Sequence, residues 1–260
     1  MSRFVGLVSL LCLIVFVAGC GQKAGGPSGT AVLKALDVKT LTPGTGDQVA
    51  ADGDRLYIKY EGKLTDGKIF DGNVDKTTEP PYAVVLGSGA VIKGWDQGLV
   101  GMKIGEKRKL SVPSNLAYGP QGRDGIPPDS DLYFEVELLY LIKKGEEGVY
   151  LAEEIKPGTG PVAKAGDTVE IHYTGKYLNG ALFDDSRKRE RTFTFKIGEK
   201  TKDHAVPGID DGVKDMKVGG KRKLTIPPTL ILGDYGGPSL KGNQVCVFEV
   251  ELISVNGKKA

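Results

Sequence analysis

Val91-Ile92-Lys93-Gly94-Trp95-Asp96-Gln97-Gly98-Leu99 carries the chain's only tryptophan. Apolar side chains at Ile92, Trp95 and Leu99 fall at i, i+3 and i+7, the spacing of one face of a short amphipathic helix. A single indole on the inward face of so short a helix is read as the floor of a pocket.

On both sides of this stretch lie landmarks that occur twice in the chain in the same order. Pro43-Gly44-Thr45-Gly46 returns as Pro157-Gly158-Thr159-Gly160, Tyr60 as Tyr173, and Phe70-Asp71 as Phe183-Asp184. Met102-Lys103-Ile104-Gly105 returns as Met216-Lys217-Val218-Gly219, and Phe134-Glu135-Val136-Glu137-Leu138 as Phe248-Glu249-Val250-Glu251-Leu252. The offset, 113 or 114 residues, is far longer than a solenoid period and marks a tandem domain duplication. The reading divides the chain into residues 35–142 and 149–256, joined by the polar linker 143–148 and followed by a polar tail, 257–260.

Within each copy the apolar pattern has period two. Leu56, Ile58 and Tyr60 alternate with Arg55, Tyr57 and Lys59, while Val169, Ile171 and Tyr173 alternate with Thr168, Glu170 and His172. Leu132, Phe134, Val136 and Leu138 mark the buried face of a last strand, matched by Cys246, Phe248, Val250 and Leu252. Half-buried strands plus one short helix predict an α+β fold, an antiparallel sheet packed on a helix in each copy.

The 260 residues leave room for about two domains, and 40% apolar with 26% charged residues is the composition of a folded chain. A net charge of +2 gives no electrostatic case for nucleic acid. Arg3 is followed by an uncharged apolar run from Phe4 to Gly19, shorter than a membrane-spanning helix and read as a targeting segment, residues 1–19. The run ends in Val17-Ala18-Gly19-Cys20, which resembles the lipobox of bacterial lipoproteins. That resemblance implies acylation at Cys20 and a chain exported to the bacterial envelope and held at a membrane. Residues 20–34, rich in glycine, would be a flexible tether. With Cys12 discarded and Cys20 lipidated, Cys246 stands alone on an inward face as a buried, inert thiol.

Tyr60-Glu61-Gly62, Gly67-Lys68-Ile69-Phe70-Asp71, Val91-Ile92-Lys93-Gly94-Trp95, Ala117-Tyr118-Gly119 and Ile126-Pro127-Pro128 together resemble the FKBP family. These are macrolide-binding peptidyl-prolyl cis-trans isomerases, and the resemblance spans both copies, from about Val38 to Val255. It implies a curved half-barrel sheet wrapped around a short helix, with the substrate proline in an aromatic cavity. Carried over residue by residue, the first cavity falls on Tyr60, Phe70, Asp71, Tyr82, Val91, Ile92, Trp95, Tyr118 and Phe134. The family's usual arginine has no clear counterpart on the longer loop from Gly72 to Pro80, and Arg123-Asp124 follow Tyr118 where many members carry a histidine.

The second copy keeps Tyr173, Phe183, Asp184, Arg189, Phe193, Val206 and Phe248. It has Ile209 at the tryptophan position and Leu232 in place of the tyrosine. Val206, Ile209 and Val213 still repeat the helix face, so the fold is expected to persist while the site is weak or inactive.

The resemblance thus implies an X-Pro isomerase acting on exported polypeptides, with activity mainly in the first copy. Proline-containing segments would be its substrates and macrolides would be candidate inhibitors. The chemistry needs no nucleophile, metal or cofactor: the planar amide is held by resonance that separates charge, and an apolar cavity withholds the solvation that favours it. A rival from another class is a non-catalytic, chaperone-like envelope lipoprotein that captures proline segments in both cavities. A purely structural envelope protein would instead have its aromatics packed shut.

Other motifs read as surface chemistry. Asp71-Gly72-Asn73-Val74-Asp75 opens like a calcium loop, but Lys76 occupies the glycine position. Two histidines make no metal site. Lys107 and Lys109 are expected to face outward and pair with Glu135 and Glu137.

Overall fold

A computed structural model describes residues 32–199, 205–233, 235–237 and 240–260. The expected targeting segment, Cys20 and most of the expected tether lie outside them. Val32–Ala260 form one compact unit.

The period-two segments become strands. The first copy holds β1 (Asp37–Thr42), β2 (Arg55–Lys63), β3 (Ile69–Gly72), β4 (Tyr82–Val85), helix α1 (Lys93–Gly98), β5 (Lys107–Val112) and β6 (Leu132–Ile142). The second holds β7 (Leu151–Lys156), β8 (Thr168–Tyr177), β9 (Leu182–Asp185), β10 (Phe193–Lys196), α2 (Pro207–Gly212), β11 (Lys221–Ile226) and β12 (Cys246–Val255). Each copy is one antiparallel sheet: β1-β5-β6-β2-β3 with β4 also on β2, and β10-β8-β12-β11-β7 with β9 also on β8. Both copies therefore have the expected α+β architecture.

Inside the first sheet, Leu56, Ile58, Leu110, Val112, Leu132, Val136 and Leu138 close over Trp95 of the helix and Leu99 at its C-cap. The second copy repeats this with Ile171, Leu224, Ile226 and Val250 over Ile209 and Val213. Cys246 is fully buried, and burial pushes its thiol pKa up to about 12, as an inert core residue requires.

Two devices seat each helix. The first is a pair of glycines against the sheet: a Cβ on Gly94 would lie 2.3 Å from Val112 Cγ1, and one on Gly208 2.2 Å from Ile226 Cγ2. Alanine would favour the helix by intrinsic propensity, yet here the contact decides. Gly94→Ala is expected to destabilise the chain by about 1–2 kcal/mol. A thermal midpoint equal to or above the wild type's would show that α1 does not depend on this approach.

The second device is the arginine between the two lysines. Arg108 Nη1 donates to Gly98 O at 2.8 Å and Val100 O at 2.7 Å, satisfying carbonyls at the helix end, while its Nε donates to Glu106 at 2.6 Å. Arg222 repeats this on Gly212 O at 2.8 Å and Lys214 O at 3.0 Å. The flanking lysines face outward as expected: Lys107 pairs with Glu137 at 3.4 Å, and Lys109 stands opposite Glu135 in the ladder.

Tyr57 departs from the alternation. It sits on the polar side of β2 yet is fully buried, in a cluster with Tyr140 and Ile142 of the first copy and Leu178 and Val245 of the second. The outer face of one sheet is thus covered by the other copy. Polar bonds cross the same boundary: Asn179 Nδ2 donates to Glu79 O at 2.5 Å, and Lys241 lies 3.8 Å from the Glu79 carboxylate. The linker is also tied down at both ends, because Lys143 and the Lys144 N–H bond Asp54 and Thr229 donates to Glu147 O.

Candidate active site

Ring-lined hollows occur in both copies. In the first, all nine residues expected from the sequence line one cavity of about 240 Å³, joined by Ala90 and Arg123. Trp95, 4% exposed, is its floor and lies edge-on to three rings: Tyr60 at 5.0 Å, Phe134 at 5.2 Å and Tyr82 at 6.2 Å between centroids. Phe70 meets Phe134 edge-on at 5.7 Å, over Gly62, where a Cβ would collide with both rings. The hollow stays open.

The polar groups are few and held. Tyr60 Oη donates to Asp71 Oδ2 at 2.9 Å. Burial, then the bond to Asp71 and its charge, push the Tyr60 hydroxyl far above the ordinary phenol range, so it stays protonated. Asn73 fixes the strand beneath: its Oδ1 accepts from Tyr60 N at 2.8 Å and its Nδ2 donates to Ile58 O at 3.1 Å. That role explains the carboxamide in the Asp71-Gly72-Asn73 turn.

Arg123, a departure from the family pattern, is a lining residue. Its Nη1 donates to Tyr118 Oη at 2.8 Å and its guanidinium lies 5.0 Å from the Tyr118 ring centroid. The tyrosine oxygen accepts there, which leaves its own hydrogen for another acceptor. Trp95 Nε1 is buried with no partner among the described residues, a second unused donor.

The second cavity, about 270 Å³, gathers Tyr173, Phe183, Asp184, Phe193, Val206, Ile209, Leu232 and Phe248. Arg189 does not line it. Its Nη2 instead donates to Tyr173 Oη at 2.5 Å and its Nη1 pairs with Asp184 at 3.0 Å, bracing the wall from outside. Ser186 takes the place of Asn73, accepting from Tyr173 N at 2.9 Å. Ile231 and Leu240, which the sequence reading missed, complete an apolar lining. Leu232 brings no hydroxyl where Tyr118 stands in the first copy.

The profile described as FKBP-type peptidyl-prolyl cis-trans isomerase matches residues 46–139 and 160–253, most of both copies. The chain belongs to this FKBP family. Peptidyl-prolyl cis-trans isomerase FKBP9 of Mus musculus is 36% identical over 255 residues, covering 96% of this chain and 43% of that protein. The human enzyme named FKBP10 is 39% identical over 216 residues, covering 82% of this chain and 36% of its own. The chain therefore spans less than half the length of these curated relatives. The crystal structure of the three FKBP domains of wheat FKBP73 aligns with 26% identity and a TM-score of 0.38, covering 87% of this chain and 99% of that one.

The family profile matches once in each copy, but the two FKBP cavities are not equivalent. The first is lined by Tyr118, whose hydroxyl hydrogen is left over, and by Trp95, whose buried N–H has no partner among the described residues. Both positions are aliphatic in the second.

Proposed function

We propose that the first FKBP domain catalyses cis-trans isomerisation of X-Pro bonds in exported polypeptides, and that the second is weak or inactive as a catalyst. The observation that carries this is the open cavity floored by Trp95, with the Tyr118 hydroxyl free to donate. An imide rotates against a barrier of about 18–20 kcal/mol, which arises from charge-separating resonance. Apolar walls withhold solvation from the planar form, and a donor on the prolyl carbonyl holds the bond in place while it twists. Each 1.36 kcal/mol removed from the barrier is tenfold in rate.

The test is a protease-free isomerisation assay on the full chain. The wild type should accelerate a proline peptide, and Tyr118→Phe should lower kcat/KM by about threefold to tenfold, the worth of one neutral hydrogen bond. A chain no faster than buffer would remove the enzyme assignment and favour the rival reading, capture of proline segments without turnover.

The same proposal includes export and lipidation at Cys20, with the Gly21-to-Thr30 stretch as a tether. It rests on the Val17-Ala18-Gly19-Cys20 motif after an apolar run. Among the described residues no helix is long and apolar enough to cross a membrane. Mass spectrometry of the membrane fraction should find Cys20 acylated; an unmodified Cys20 would sink the lipid anchor. Macrolides, known ligands of the family, are candidate inhibitors of the first cavity.

A further inference from the structure

Beside the first cavity lies a second hollow, about 330 Å³, walled by both domains. Tyr60 and Tyr82 line both spaces, so the two adjoin along that ring pair. Pro81 continues the first domain's wall, and Lys241, Asn243 and Gln244 form the opposite one. Gln244 is only 8% exposed, yet no donor reaches its Oε1 among the described residues, and Asn243 Oδ1 is buried and equally unpartnered. Buried carbonyl oxygens without donors are rare in folded proteins and ask for an explanation.

The segment that carries these oxygens is firmly held. Asn243 N donates to Gly233 O at 2.9 Å, Lys241 N to Tyr177 Oη at 3.0 Å, and Val245 is locked in the interdomain cluster. Across the gap, the Glu79 contacts to Asn179 and Lys241 fix the facing loop. Two ordered carbonyl oxygens without donors thus belong to residues that line the hollow next to the proposed proline site, closed off until a side-chain rotation opens them to it.

We infer that the second domain supplies a subsite for the polypeptide whose proline occupies the first domain's cavity, its two side-chain carbonyls accepting backbone N–H groups from residues flanking that proline. Proline has no N–H of its own, so such donors must come from its neighbours. The inference rests on the isomerase reading for the location of the proline. It gives the degenerate second domain a part in substrate selection: the chain binds extended polypeptides better than isolated X-Pro units.

The test compares two probes on the full chain by calorimetry and by the isomerisation assay: a blocked X-Pro dipeptide, and a peptide of about twelve residues with one central proline. In the wild type the longer peptide should bind more tightly. Gln244→Met, which keeps the volume and removes the acceptor, should shrink that advantage by about threefold to tenfold. Asn243→Gly should do likewise, since glycine accepts the left-handed backbone found there, φ 61°. This second variant keeps the question answerable should the first fail to fold. An advantage unchanged in both variants, or absent from the wild type, overturns the subsite and leaves the catalytic reading standing. Binding of both peptides without acceleration overturns the catalytic reading and leaves the subsite to be judged on the same ratio.

Discussion

Trp95→Ala is expected to lower the stability of the first domain by about 3–5 kcal/mol, the usual cost of emptying an aromatic site that its neighbours cannot refill. Those neighbours, Tyr60, Tyr82 and Phe134, touch the indole edge-on and are themselves held by strands, so little collapse is available. Catalysis should fall further than stability alone explains. The proposed floor for the substrate ring is lost, and kcat/KM should drop about tenfold to a hundredfold, corresponding to one large apolar contact. Trp95→Phe keeps the apolar floor while removing the unpartnered N–H, and should retain most of both. Measurement below the variant's unfolding transition separates the two effects. If folded Trp95→Ala isomerises as fast as the wild type, Trp95 is core packing and the proposed site lies elsewhere.

Replacing Asp54 is expected to have the second large effect. Its side chain is 2% exposed, and it accepts from Ala51 N at 2.8 Å and Lys144 N at 2.9 Å while pairing with Lys143 Nζ. Burial alone would raise its pKa; the Lys143 bond, the two backbone N–H groups and the Lys143 charge outweigh that, and the pKa lies below its ordinary 3.8. A depressed folded-state value means a stabilising contribution that is complete above the unfolded pKa and is lost as pH falls through the folded one. Asp54→Asn should therefore cost about 3 kcal/mol near neutral pH, because it leaves a half-buried ammonium and two N–H groups with a poorer partner. Denaturant unfolding should also show a shallower acid limb in the variant, the difference from wild type shrinking below pH 3.8. A constant difference down to full carboxylate protonation would show that Asp54 acts through shape and not charge.

What could be read ahead of the structure follows from which interactions are local. The helix under the pocket was legible because Ile92, Trp95 and Leu99 repeat at helical spacing, and the strands because Leu56, Ile58 and Tyr60 alternate. The pocket residues were legible only as a combination, through their likeness to a known family. Arg108 was hidden between two lysines that do face outward, since nothing in a basic triplet says that its middle member turns in to end a helix ten residues earlier. Arg123 lay in plain view, but its stacking on Tyr118 depends on a loop fold that spacing does not encode.

By itself the sequence determined the duplication, the sheet-and-helix plan of each half and the uneven loss of Trp95 and Tyr118 counterparts at Ile209 and Leu232. These follow from period, order and residue type along one stretch of chain. Only the tertiary structure decided that Tyr57 is buried and that Asn243 and Gln244 face the hollow beside Tyr60 and Tyr82. An interface is assembled from scattered single residues on strands and loops of two domains, such as Tyr57, Tyr140, Leu178 and Val245, and no local period marks them. Their burial is a property of how two finished sheets meet.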